Sequence, residues 1–249
     1  MAIVGRGFLA RHLALLGPAH PGVVAIAAGV SAASDTSDVE FAREAALLRD
    51  VMRRCASTGE RLLFFSTAST GMYGAPGGRG REDEAVRPRT PYGRHKLALE
   101  EALRQSTVDY LVLRLAHVAG PHQPPHQLLP SLASQVLAGT VRLHEGARRD
   151  VIDVLDVVTV VDRLLAAGVS RDVVNVATGF AVPVEDLVDR IETRLGVRAR
   201  RERVRTPPVN HLVCTGKLRR LVPAVDRMGF GLRYHEGVLD RYVGTGALV

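Results

Sequence analysis

Tyr92 and Lys96 are the residues whose types and spacing could do chemistry. They stand four apart in Tyr92-Gly93-Arg94-His95-Lys96, and on a helix that interval puts both side chains on one face. A free phenol, with a pKa of about 10, is a poor acid or base at neutral pH. A neighbouring ammonium stabilises the phenolate and draws that pKa toward the working range. The choice of lysine is informative, because of 33 Lys and Arg residues only Lys96 and Lys217 are Lys. Arginine would supply charge without a compact ammonium able to hydrogen-bond a ribose or a water chain. On spacing alone, a solvated helix start with an incidental Tyr and Lys is an equal reading.

A second set of candidates lies upstream. Arg61-Leu62-Leu63-Phe64-Phe65 reads as a buried strand running into Ser66-Thr67-Ala68-Ser69-Thr70-Gly71-Met72-Tyr73-Gly74. Hydroxyls therefore cluster where a parallel strand ends, and ligands of open α/β sheets sit outside the carboxyl ends of the strands. A hydroxyl there can meet a phenol from the next helix over a substrate carbonyl. Ser-rich strand ends are also ordinary turns. At the amino end, Ala2-Ile3-Val4 followed by Gly5-Arg6-Gly7-Phe8-Leu9-Ala10-Arg11 reads as strand, glycine turn and helix. Backbone N–H groups and the helix dipole of such a turn face a pyrophosphate. Arg6 and Arg11 are either partners for it or plain surface charge.

Periodicity places the elements that must position these groups. Residues 23–29 read as an apolar strand, 39–57 as a long helix leading into the Ser-bearing strand, and 91–105 as the helix of Tyr92 and Lys96. A helix follows from about Gln127, then a short strand at 141–143, a helix at 154–167, a strand at 173–177 and a helix at 184–195 closed by Gly196. Residues 198–210 are basic, contain Pro and read as a mobile connection. Lys217 to Gly231 precedes a last helix near Val238 to Val243. Strands alternating with helices predict an α/β fold with a parallel sheet.

Four ordered motifs carry a resemblance to the extended short-chain dehydrogenase/reductases of the NAD-dependent epimerase/dehydratase family. They are the strand with Ser69-x-x-x-Tyr73-Gly74 and then Pro91-Tyr92-Gly93-x-x-Lys96; Leu111-Val112-Leu113-Arg114-Leu115-Ala116-His117-Val118-Ala119-Gly120-Pro121; Arg149-Asp150-Val151-Ile152-Asp153-Val154-x-Asp156-Val157; and Val174-Asn175-Val176-Ala177. The likeness spans nearly the whole chain. It implies a Rossmann-like, mainly parallel sheet with helices on both faces. A dinucleotide-binding domain would take residues 1–120, with 150–178 returning to it, and a small carboxyl-terminal substrate lobe would take 121–149 and 179–249.

The resemblance also implies roles. Tyr92 transfers the substrate hydroxyl proton, Ser69 hydrogen-bonds the same oxygen, and Lys96 holds the nicotinamide ribose and lowers the Tyr92 pKa. One residue of slack would exchange Ser69 for Ala68, with Thr67 and Thr70 close by. NAD or NADP would be held by Gly5, Arg6, Gly7, Phe8 and Leu9, by Ala27, Ala28 and Gly29, and by Tyr92, Lys96 and His117. A polar small molecule, such as a sugar nucleotide or a biosynthetic intermediate, would meet Thr70, Met72, His117, His122, Gln127 and Arg149. Relatives often dimerise through two helices that correspond to 39–57 and 91–105, which implies a homodimer.

The chain departs from the pattern in four places. The glycine turn is one residue shorter than the family's Gly-x-x-Gly-x-x-Gly. Thr70-Gly71 stands where the family's 4,6-dehydratases carry Asp-Glu, which disfavours sugar dehydration, and His117 replaces an Asn that contacts substrate in many relatives. The strand that should end in an acid for the adenosine ribose about 20 residues on is absent: the first acidic residue of the chain is Asp35. Residues 23–29 resemble the family's fourth strand instead, so the second and third strands are missing. That loss makes the first strand an edge, strips half of the adenosine pocket and removes one feature favouring NAD over NADP.

Composition narrows the classes. With 249 residues, 46% hydrophobic and 24% charged, the chain has enough material for a real core. A net charge of +7 with 4% aromatic residues and no Trp gives no stacking platform for nucleic acid. It suits anionic small substrates, or a plain solvated surface. No apolar run approaches ~18 residues, so no membrane span is expected. Met1 directly before the first strand leaves no room for a signal peptide, and the expected compartment is the cytoplasm. Cys55 and Cys214 suggest neither a disulfide nor a metal, and His117, His122 and His126 lack a nearby carboxylate to complete a metal site. The expected activity is NAD(P)-dependent oxidation, reduction or epimerisation at a secondary alcohol or ketone. The alternatives are a cofactor-independent isomerase, cyclase or lyase using Tyr92, and a non-enzymatic cofactor-sensing relative.

Overall fold

Uninterrupted apolar runs such as Leu62-Leu63-Phe64-Phe65 and Leu111-Val112-Leu113 suit strands buried on both faces. The computed structural model describes residues 1–30, 37–73, 78–205 and 212–245. Its first half runs β1 (Ala2–Val4), α1 (Phe8–Leu13), β2 (Val23–Ile26), α2 (Asp38–Thr58), β3 (Arg61–Thr67), α3 (Thr70–Tyr73), α4 (Pro91–Arg104), β4 (Tyr110–Leu115) and β5 (His117–Ala119). Next come α5 (Leu128–Leu137), β6 (Thr140–His144), β7 (Arg148–Arg149), β8 (Val151–Asp153), α6 (Val154–Ala166) and β9 (Asp172–Val176). The chain closes with β10 (Val182–Pro183), α7 (Val184–Leu195), β11 (Arg200–Val204), α8 (Gly216–Leu221) and α9 (Tyr234–Tyr242).

The main sheet has the order β1-β2-β3-β4-β9, and every neighbouring pair is parallel. Side chains alternate between its faces. Leu63, Phe65, Leu113 and Val174 join a core with α1 and α6, whereas Leu62, Phe64, Val112 and Val173 join one with α2 and α4. In α6 the buried residues Val154, Val157, Val161, Leu164 and Leu165 recur at the helical interval, which is why that segment coils. Among the described residues nothing pairs with the outer edge of β1, so the first strand is an edge.

The smaller cluster gathers Leu129, Leu132, Val141, Leu187, Ile191 and Leu239 from α5, β6, α7 and α9. It is latched to α6, which packs on the main sheet, through Asp153 at the end of β8. This carboxylate caps α6 by accepting from Leu155 N at 2.9 Å, and it accepts from the Tyr242 hydroxyl at 2.8 Å and from Arg241.

Two expectations need correction. The strand read as 23–29 stops at Ile26; Ala27 N still donates to the Val4 carbonyl at 2.8 Å, and Ala27 and Ala28 then pass over Gly5. Residues 198–210 are not simply a connection. Arg200–Val204 is a strand paired parallel with β6, from Arg200 beside Thr140 to Val204 beside His144. Its side chains are too exposed and too charged for an apolar alternation to show, and Arg201 and Arg203 ion-pair with Glu192 and Glu185. No helix among the described residues is long and apolar enough to cross a membrane.

Candidate active site

Helix α4 is started by its own residues. Thr90 accepts from Gly93 N at 3.0 Å, and Pro91 supplies the preset first position. Tyr92 therefore projects at the helix start and Lys96 one turn later. Lys96 is only 3% exposed. Its Nζ lies 5.7 Å from the Tyr92 ring centroid and 5.2 Å from that of Phe64.

That ammonium has a partner no motif pointed to. Lys96 Nζ donates to Glu44 Oε1 at 2.7 Å and to the Phe65 carbonyl at 3.3 Å. Glu44 comes from α2 and is also 3% exposed. Its other oxygen lies 2.9 Å from His95 Nε2, and it accepts from the Val30 backbone. His95 in turn packs on Phe41, ring centroids 4.4 Å apart. Burial pushes the Glu44 carboxyl up, but the His95 hydrogen bond and the Lys96 charge outweigh it and hold the group below the usual carboxylate range. The signal for Glu44 was available, because it shares a buried stripe with Leu48, Val51 and Cys55 on a helix otherwise rich in exposed charge.

These groups border a cavity of about 350 Å³ at the carboxyl ends of β1 to β4. Of the anticipated residues it is lined by Gly7, Phe8 and Leu9, by Ala27 and Gly29, by Ser69, Tyr92 and Lys96, and by His117 and Gln127. Thr67, Gln123 and His126 line it as well. Gly5, Arg6, Ala28, Met72, His122 and Arg149 do not line it. Gly5 instead solves a packing problem: at φ 136° a Cβ there would lie 2.4 Å from the Ala27 carbonyl oxygen. Met72 is wholly buried in the core, Arg6, Ala28 and His122 are exposed, and Arg149 donates to the Arg148 carbonyl at 2.8 Å. The Thr70 side chain lies outside the described residues.

Around the phenol, Thr67 is the hydroxyl that hydrogen-bonds Tyr92, and Thr67 Oγ1 also accepts from Ser69 N at 3.1 Å. Lys96 lowers the phenol, as expected of an adjacent ammonium, but other influences outweigh it. Burial pushes Tyr92 up and the Glu44 charge adds to it, so the lowering by Lys96 and Thr67 leaves the phenol above its ordinary value. Among the described residues no three His, Cys, Asp or Glu side chains converge as metal ligands. A larger and more open groove, about 1010 Å³, runs along another face of α4 past Glu101, Arg104 and Arg171, and none of the anticipated site residues borders it.

Comparisons with known proteins agree with this architecture. The model of the NAD dependent epimerase/dehydratase family matches residues 11–177. A dTDP-6-deoxy-L-talose 4-dehydrogenase (NAD(P)(+)) of Kitasatospora kifunensis is 33% identical over 129 residues, a stretch covering 47% of this chain and 41% of that protein. RMD from Pseudomonas aeruginosa, solved with NADPH, shares the fold at a TM-score of 0.74 and 19% identity, over 96% of this chain and 98% of its own. MoeE5, solved with UDP-glucuronic acid and NAD, has a TM-score of 0.70 and 27% identity over 94% of this chain and 83% of its own.

Proposed function

The chain belongs to the NAD dependent epimerase/dehydratase family, and from that premise we propose that it is an NAD(P)-dependent oxidoreductase or epimerase acting at a secondary alcohol or ketone of a sugar nucleotide or similar polar metabolite. The observation that carries this reading is the meeting of Ser69, Tyr92 and Lys96, from the end of β3 and the start of α4, on one cavity of about 350 Å³.

Tyr92 exchanges a proton with the substrate oxygen, Ser69 hydrogen-bonds that oxygen, and Thr67 aligns the phenol. Lys96 places a positive charge beside the ring and offers hydrogen bonds to a ribose. The nicotinamide cofactor, when bound, supplies or accepts the hydride. The donor set fits its nicotinamide end, with Lys96, Tyr92 and His117 on the cavity wall. At the adenosine end, no strand among the described residues flanks β1 to carry a ribose-binding acid. Gln123, His126 and Gln127 offer neutral hydrogen bonding to a polar substrate. Family membership favours this over cofactor-free acid/base chemistry, and Thr70-Gly71 in place of Asp-Glu favours oxidoreduction or epimerisation over dehydration. The same reading places the chain in the cytoplasm and pairs two copies across α2 and α4.

Calorimetric titration of the cofactor-stripped protein with NAD+, NADH, NADP+ and NADPH tests the reading. Saturable binding weakened by Lys96→Ala is expected. No binding up to millimolar concentration, in a protein shown to be folded, would overturn it.

A further inference from the structure

Glu44 is a buried carboxylate beside the cavity that the proposed reaction does not call for. It ties three parts of the chain together: its own helix α2, the Val30 backbone beyond β2, and His95 and Lys96 on α4. Room for it is cut into the backbone. A Cβ at Gly29 would lie 2.2 Å from Glu44 Oε1 and 3.0 Å from Lys96 Nζ, so glycine is what lets the pair form there. No carboxylate lines the cavity itself among the described residues. Glu44, one layer behind Lys96, is therefore the negative charge that Lys96 and Tyr92 experience.

We propose that Glu44 is a positioning residue that seats Lys96 and holds Tyr92 as a protonated phenol, so that the site is set to give a proton to a substrate carbonyl oxygen. A lone ammonium beside a phenol favours phenolate, the form that takes a proton from an alcohol. An ammonium already paired at 2.7 Å with a desolvated carboxylate presents a dipole instead of a net charge, and its pull on the phenol is much reduced. His95 shares the carboxylate at 2.9 Å and fixes its orientation. The other titratable groups facing Tyr92 are His117 and His126, across the cavity on β5 and the loop after it. Burial raises the Tyr92 phenol first and Glu44 raises it further, against Lys96 and Thr67.

The direction of reaction rests on the function proposed above. In the favoured direction the carbonyl π bond breaks and the Tyr92 proton forms the new O–H bond. A reduced nicotinamide, when bound, would supply the hydride for the new C–H bond. The products are an alcohol, an oxidised nicotinamide and a Tyr92 phenolate that regains its proton from solvent.

The test needs neither substrate nor cofactor, so it stands apart from the calorimetry. Tyrosinate ultraviolet absorbance is titrated in the wild type and in Tyr92→Phe, and the difference isolates Tyr92. With Glu44→Gln the Tyr92 ionisation is expected to move down by about one pH unit, a tenfold change in its acid constant. Lys96→Met is expected to move it up. A carboxylate that only props up the fold would lower thermal stability without moving the Tyr92 titration. Glu44→Asp keeps the charge, and with it the folded pair, while withdrawing it by one methylene; a smaller downward shift is expected. An unchanged or raised Tyr92 ionisation in folded Glu44→Gln overturns the proposal, as does the absence of any shift in Glu44→Asp if Glu44→Gln does not fold.

Discussion

Helix α4 carries two buried charges four residues apart, Lys96 and Glu100, and the ion pairs they make are built differently. Glu100 and Arg114 form a two-pronged pair. Arg114 Nε and Nη2 lie 2.9 and 2.6 Å from the two carboxylate oxygens, and Nη1 lies 2.6 Å from the Tyr73 hydroxyl, which donates to Asn175 Oδ1 at 2.8 Å. Ser66 donates to the same carboxylate. Burial pushes the Tyr73 phenol up to about 12 in spite of Arg114, so Tyr73 stays a donor. Lys96, by contrast, makes one bond to one oxygen of Glu44, and its Nζ reaches a cavity wall. A planar guanidinium suits the pair that must never change partner, and a compact ammonium suits the pair that must also serve a hydroxyl. A chain that otherwise writes arginine keeps lysine where the charge has to be shared. Lys217 qualifies the lesson, because it binds Asp172 and the Val173 carbonyl at the edge of the sheet and does not line the cavity.

If that division is right, substitutions should separate activity from stability. The largest effect is expected for Tyr92→Phe, with turnover down about 10² to 10⁴-fold and an unchanged melting temperature in calorimetry. Arg114→Ala should do the reverse. It strands the buried Glu100, lowers stability by about 3–5 kcal/mol in urea titration, and leaves turnover per folded molecule near wild type. A tenfold loss of that turnover would show that the two pairs are not separate. Lys96→Arg keeps the charge and tests the lysine directly: cofactor affinity and turnover should fall at least about tenfold, with a stability loss of about 1–3 kcal/mol from the larger side chain.

Smaller effects sharpen the picture. Gly5→Ala places a Cβ 2.4 Å from the Ala27 carbonyl oxygen and should lower stability by about 1–3 kcal/mol, without changing the Tyr92 titration. The pH dependence of stability should separate Glu44 from its surroundings. Its folded-state value lies below the ordinary 4.5, so its contribution is present above 4.5 and is lost as the pH falls through the lowered value. The melting-temperature gap between wild type and Glu44→Gln should therefore be widest at neutral pH and narrow below 4.5.

Much of the fold was legible because it rests on short-range rules. The strand at Leu62 to Phe65 is an unbroken apolar run. The α7 helix ends where expected, at Gly196 with φ 69°. The four-residue interval brought Tyr92 and Lys96 to one side of α4 because a helix has no other choice. The shortened amino-terminal half was legible too, since a sequence without an acid before Asp35 has nothing with which to end a ribose-binding strand. The strand at Arg200–Val204 was hidden, because its pairing is through backbone to β6 and its side chains show no alternation. Arg149, Met72 and His122 were placed by motif and fall outside the cavity because a motif gives order along the chain and not the direction of a side chain.

By itself the sequence determined the family, most of the strand and helix order, and the placing of Tyr92 and Lys96 on one face of one helix, all of which depend on residue type and local spacing. Only the tertiary structure decided what surrounds those two side chains. Lys96 meets Glu44 across 52 positions of chain, Thr67 rather than Ser69 hydrogen-bonds the phenol, and the net effect on Tyr92 is upward. Charge and burial act through space, so their balance at one hydroxyl is set by what the fold brings within a few ångströms and not by what lies beside it in the chain.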